Sequence, residues 1–132
     1  MVVWFTISQT GIVSEGGSGE PSLTELQEAV GGYIEVITLP SHNQIWVNEE
    51  GRLQRLPVND AATALLWDAG MMFGQTLVGD VVMVYTGDVD YQDCYDHIMQ
   101  YDTSVEFEDY TKMNEELVQS MNEVYTERKE EE

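Results

Sequence analysis

Ser22-Leu-Thr-Glu25-Leu-Gln-Glu-Ala-Val30-Gly-Gly-Tyr33-Ile-Glu-Val-Ile-Thr-Leu39 decides the fold class. Its first half carries the marks of a short helix. Ser22 can cap the first turn, and Glu25, three residues on, can bond back to the cap. Leu23, Leu26 and Val30 recur at three and four residues, so they share one helix face. Gly31 and Gly32 then stop the helix, one of them in a left-handed conformation. The second half, Tyr33 to Leu39, is rich in β-branched and aromatic residues and reads as a strand. A helix and a strand joined by two glycines call for a fold that mixes both.

Working outward, Val2 to Ile7 reads as a buried strand, and Ser14 to Pro21 (SEGGSGEP) as a Gly/Ser-rich flexible loop. Beyond Leu39, Pro40 to Asn43 is a loop and Ile45 to Asn48 a strand. Asn48-Glu-Glu-Gly51 would turn it into a further strand around Leu53 to Leu56. Asn59 can cap a second helix whose inner face uses Ala62, Leu65, Leu66 and Ala69, and Gly70 to Gly74 breaks it. Gly79-Asp80 turns into Val81 to Tyr85, the most strand-like run of the chain. The expected fold is α/β (α+β): a small mixed sheet of about four or five strands with two packed helices, Leu23–Val30 and Asp60–Ala69. Met71-Met-Phe73 near Trp67 is either a docking patch or part of the core.

Charge sets the class of partner. Of 132 residues, 25 are Asp or Glu and 5 are Lys or Arg, a net charge of −20. The composition changes at Gly87. Residues 88–132 hold 15 acids and 3 bases, against 10 and 2 in residues 1–87. We therefore read residues 1–87 as the α/β domain and 88–132 as an acidic, aromatic-containing helical extension, packed on it or projecting from it. Within the extension, Tyr91 to Gln100 suggests a short helix. Phe107, Tyr110, Met113, Leu117, Met121 and Val124 keep a helical period. Direct binding to nucleic acid or an anionic membrane needs clustered Lys and Arg, which are absent. No apolar run approaches the length of a membrane span, and the N-terminal apolar run lacks the basic start of a signal peptide. With one cysteine, Cys94, the chain forms no internal disulfide, which fits a cytoplasmic protein.

Leu26-Gln27, Val30-Gly-Gly-Tyr-Ile-Glu35, Val47-Asn-Glu-Glu-Gly51, Leu56-Pro57, Asn59, Ala62-Thr63 and Val78-Gly-Asp-Val81 together resemble a small family, domain of unknown function 3846, met mostly in bacteriophages and phage-like elements. The resemblance covers roughly residues 1–86, and the acidic segment after Gly87 goes beyond it. It implies a phage-encoded, soluble accessory protein, acting in the host cytoplasm during infection. It implies no activity.

The motifs that would mark an enzyme are missing. There is no Gly-x-Ser-x-Gly elbow and no catalytic-cysteine signature. Gly16-Gly-Ser-Gly19 lacks the Lys of a phosphate loop. One Cys and two His are too few for a structural zinc site, although Cys94 and His97 would share a helix face. Asp88-Val-Asp90-Tyr-Gln-Asp93 opens like a calcium loop, but Asp93 stands where Gly belongs and Met99 where Glu belongs. We therefore expect no catalytic residues, no metal site, no cofactor and no enzyme activity.

Interaction is the stronger reading. Glu108 and Glu115, and separately Asp109, Glu116 and Glu123, repeat at seven residues. On a helix each set returns to one face about every 10.5 Å. With Asp88, Asp90, Asp93, Asp96 and Asp102 they would form a ribbon of negative charge. Such a ribbon suits a groove built for phosphates, whose repeat along a strand is about 3.4 Å. The expected partner is a basic protein surface, a host nucleic-acid-binding defence protein inhibited by charge mimicry. The alternative is a small-molecule or nucleotide-sequestering protein using Glu35, Asn48, Arg52 and Arg55. Glu35 sits in a strand, where it points to solvent, faces Arg52 or Arg55 across the sheet, or binds a ligand. A self-associating structural component, a homo-oligomer, is the remaining option.

Overall fold

The computed structural model describes residues 2–103. Five strands and three helices alternate as β1 (Val3–Ile7), β2 (Val13–Ser18), α1 (Leu23–Val30), β3 (Ile34–Thr38), β4 (Gln44–Asn48), α2 (Asp60–Asp68), β5 (Val81–Tyr85) and α3 (Tyr91–Met99). The strands form one sheet in the order β2-β1-β5-β4-β3. The architecture is α+β, as the sequence indicates, but the sheet is antiparallel throughout and not mixed. The reason lies in the connections. β1–β2 and β3–β4 are hairpins. The excursion from β4 through α2 to β5 leaves and re-enters at the same end of the sheet, because Trp46 pairs with Val82 and Gln44 with Val84. A bridge between Val58 and Val78 closes its base.

Alternation along the strands gives the sheet two buried faces. One presents Val3, Phe5, Ile7, Ile45, Val47, Val81 and Met83 to Leu65 and Leu66 of α2 and to Cys94 and Ile98 of α3. The other presents Trp4, Val82 and Val84 to Leu26 and Val30 of α1. β5 is central and buried at all five positions. Fully burying a side chain such as Leu66 or Ile98 contributes about 1.5–3 kcal/mol relative to leaving it exposed. Because α3 supplies the same core as α2, residues 88–103 pack on the domain, and the composition break at Gly87 falls inside one fold. The helical period over 107–124 lies outside the described residues.

The helix termini follow the sequence. Ser22 accepts from the Glu25 backbone N–H at 3.1 Å, and Glu25 accepts from the Ser22 N–H at 3.0 Å. Gly31 ends α1 at φ +79°, where a Cβ would be strained. Asn59 caps α2 by accepting from the Ala62 N–H at 3.0 Å.

Two local expectations are corrected. Val13–Ser18 is an edge strand and not a flexible loop. Trp4 pairs with Gly17 and Phe5 with Glu15, so Gly16 is an extra residue in a bulge. A Cβ on Gly16 would lie 2.0 Å from the Trp4 ring, so the glycine lets the indole lie against the strand. The strand expected at Leu53 to Leu56 is instead a run of tight turns. The Gln54 N–H donates to Glu50 O at 2.9 Å and the Leu56 N–H to Gly51 O at 3.0 Å, so local bonds take the groups a ladder would need.

Asn59 is fully buried, and its amide nitrogen also donates to Ile7 O at 3.0 Å and Gly79 O at 2.9 Å. Asn59→Ala strands these carbonyls and removes the cap, an expected loss of about 3 kcal/mol at the urea midpoint. Asn59→Asp keeps the cap acceptor and loses both donors, so it should recover little of that loss. Recovery of wild-type stability in the Asp variant would show that the carbonyl bonds contribute nothing.

Candidate functional site

Among the described residues, the acids reach the surface almost without exception. Of the 15 acids between residues 2 and 103, 14 are exposed. Asp88, Asp90, Asp93 and Asp96 gather around the start of α3. There, Asp90 caps the helix by accepting from the Gln92 N–H at 2.8 Å, and Asp96 accepts from the Gln92 side chain at 2.9 Å. Asp93 lies in the first turn, where the partial positive charge of the helix end favours a carboxylate. Asp102 is the exception. It is buried and accepts from the Val13 N–H at 3.0 Å, while the next residue, Thr103, donates its N–H to Gly11 O at 2.9 Å. Asp102 therefore ties the chain after α3 to the β1–β2 hairpin and is no part of an exposed ribbon. Glu108, Asp109, Glu115, Glu116 and Glu123 lie outside the described residues.

Three of the four alternative ligand residues meet. Glu35, Asn48 and Arg52 line a cleft of about 230 Å³ between β3, β4 and the turns that follow; Arg55 does not line it. The register explains the position of Glu35. It pairs with Val47, so it lies on the α2 side of the sheet, exposed because β3 is an edge strand. The other two side chains are already engaged. The amide nitrogen of Asn48 donates to Val30 O at 3.2 Å and to the Gln54 side chain at 3.3 Å, and its oxygen accepts from the Glu50 N–H at 2.8 Å. Arg52 donates to Thr76 O. Asn48 and Arg52 thus brace the turns. The Met71–Phe73 segment divides: Met71 packs against the core, while Phe73 is 73% exposed.

A larger cleft, of about 480 Å³, opens between the β3–β4 turn, α2 and the C-terminal end of α3. Leu39, Leu65 and Met83 form its apolar floor, and Tyr85, His97 and Tyr101 line it. The Tyr85 hydroxyl and His97 Nδ1 are 2.6 Å apart, and their rings meet edge to face. The His97 and Tyr101 centroids are 5.7 Å apart, and the Tyr101 hydroxyl donates to Asp68 at 2.9 Å. Burial raises the Tyr85 phenol above the usual tyrosine range, with Cys94 and Tyr101 adding to it. Tyr101 is pushed up to about 12 by burial and by the bond to Asp68. Tyr91 is also pushed up to about 12, first by the hydrogen bond it donates to Glu15 and then by burial. Burial raises the Cys94 thiol, with Asp93 and Asp90 adding to it. The sequence offered one pointer to this cluster, the four-residue spacing of His97 and Tyr101 across the end of α3. Asp68 and the floor come from elements distant in sequence.

Among the described residues, no three His, Cys, Asp or Glu side chains are placed to hold a metal ion, and no helix is long and apolar enough to cross a membrane. Comparison with known protein families matches residues 9–110 to the one described as a domain of unknown function (DUF3846). The match starts later than the resemblance read from the residues and runs past Gly87 through α3, in keeping with the shared core. No curated protein and no solved structure matches.

The raised phenols set a pH dependence. A tyrosine whose pKa rises on folding binds its proton more tightly in the native state. Its contribution is complete below the ordinary value near 10 and is lost as pH climbs toward the folded value. Stability should therefore fall between about pH 10 and 12. Urea midpoints taken across that window should decline more gently in a Tyr91→Phe/Tyr101→Phe variant than in the wild type. An equally steep decline would show that neither phenol contributes.

Proposed function

The chain belongs to the DUF3846 family, whose description names a domain and no activity, and from that premise we propose that it is an interaction protein whose acidic surface engages a basic surface on another protein. One observation carries this reading. The described surface exposes 14 carboxylates against two cations, Arg52 and Arg55, and Arg52 is already bonded to Thr76. Such a surface attracts a positively charged groove over a Debye length of about 8–10 Å at ordinary ionic strength and repels nucleic acid and anionic lipid. The phage origin implied by the family resemblance makes a host nucleic-acid-binding defence protein, acting in the host cytoplasm, the class of partner. Inhibition by nucleic-acid-like charge is the mechanism.

The nucleotide-sequestering alternative has less support. Of its two cations, one braces the Thr76 turn and the other lies outside the cleft. Self-association through the Met71–Phe73 segment, where Met72 and Phe73 are exposed, has no further observation behind it.

An affinity pull-down from host lysate at low salt, eluted with a salt gradient, tests the proposal. One nucleic-acid-binding protein should leave at a defined salt step and be displaced by duplex DNA. Its affinity at low salt should fall by about tenfold or more when Asp88, Asp93 and Asp96 become Asn together. A second variant, Glu115, Glu116 and Glu123 to Gln, reports on the segment beyond residue 103. Unchanged affinity in both variants, or elution of an unselective smear of basic proteins, would defeat the reading.

A further inference from the structure

The cleft at the end of α3 has the make-up of a ligand site. At about 480 Å³ it falls in the size range of small-molecule pockets. Its floor is apolar, its walls carry two phenols and an imidazole, and the Asp68 carboxylate lies among its lining residues. No Lys or Arg lines it. One oxygen of Asp68 accepts from Tyr101, and the other makes no hydrogen bond among the described residues. Phosphates and carboxylates would meet a carboxylate and no fixed positive charge. A positively charged head gains from the carboxylate and from the electron-rich faces of aromatic rings, while an apolar stem gains from the floor.

We infer that the cleft lined by Asp68, Tyr85, His97 and Tyr101 binds an organic cation, an ammonium or guanidinium group carried on an apolar stem. The Tyr85–His97 bond at 2.6 Å and the Tyr101–Asp68 bond at 2.9 Å hold the rings in place before the ligand arrives, which lowers the entropy lost on binding. The same chemistry has two sources, a free amine or an arginine or lysine side chain of a protein. The inference is independent of the acidic surface. The cleft lies at the far end of α3 from Asp88, Asp90 and Asp93, and its selectivity comes from the meeting of one carboxylate with aromatic rings over an apolar floor, not from net charge.

The test is an amide NMR titration of the full chain in about 300 mM salt, where long-range attraction is screened to a few ångströms. One arm uses agmatine and the other a Gly-Arg-Gly peptide with blocked ends. Saturable shifts should centre on the amides of Asp68, Tyr85, His97 and Tyr101. Asp68→Asn should weaken binding about tenfold while leaving the spectrum folded. Tyr101→Phe, which removes the bond that holds Asp68 and the ring in place, should weaken binding by about threefold or more. Saturation by agmatine identifies a free amine as the ligand class. Saturation by the peptide with agmatine silent identifies a protein side chain, and either upholds the inference. Absence of shifts at about 10 mM of both probes overturns it. So do shifts scattered over Glu15, Glu25 and Asp93, or equal binding by Asp68→Asn. Salt-sensitive partner binding could survive any of these results, so the two proposals fail separately.

Discussion

The buried amide of Asn59 is the joint on which the domain closes. One side chain bonds the end of β1 at Ile7, the turn before β5 at Gly79, and the first turn of α2 at Ala62. Those three segments lie far apart in the chain, and each would otherwise present an unpaired backbone group to the core. Leaving such a group unsatisfied costs about 1–3 kcal/mol, a large share of the stability of a small domain. The joint is also neutral, and that matters in this chain. A net charge of −20 makes the compact state repel itself, so locks built from carboxylates would add to the strain. Amides and hydroxyls do most of this bracing: Asn48 binds Val30 and Glu50, Asn43 binds Thr86, and Thr63 binds Leu77. Asp102 is the one buried acid among the described residues, and it accepts a backbone N–H.

With the interior held by apolar packing and neutral polar groups, the remaining carboxylates are left on the outside. Two kinds of surface result. The described exterior carries 14 exposed carboxylates, the surface on which the proposed partner binding rests. The cleft beside α3 is different. It gathers aromatic rings and one carboxylate over an apolar floor. In the roles proposed for them, the first surface favours encounter and the second selects by local chemistry. The two proposals share one premise, that carboxylates on the described surface favour cations over phosphate.

Local chemistry explains where reading residues succeeded. The capping box at Ser22 and Glu25, the left-handed Gly31 and the cap at Asn59 each depend on residues no more than nine apart, and all are present in the structure. The run Val81–Tyr85 is apolar at every position, as a strand covered on both faces must be. Failures arose where the deciding partner was remote. Gly16 and Gly17 look like a linker until Trp4 is placed against them. Leu53 to Leu56 has strand-like ends, but turn bonds to Glu50 and Gly51 take its backbone groups first. At Gly87 composition left two placements open for the segment beyond, and Cys94 and Ile98 take the packed one, in the core with Phe5 and Leu65.

The candidate sites divide along the same line. Charge is a property of composition. The acidic exterior of the described residues was therefore legible before any fold was known, because carboxylates seek water unless a specific bond holds them inside. That Asp102 is such a case depended on Val13, 89 residues away, lying within hydrogen-bond distance of it. The aromatic cleft depended on more. Asp68 from α2, Tyr85 from β5, and His97 and Tyr101 from α3 and the turn after it meet because the sheet brings β5 to its centre and both helices pack on one face. Spacing along a chain encodes what a helix or strand will present to its surroundings. Which residues then face one another across a cavity follows from the order of strands and the packing of helices, and no local pattern carries that information.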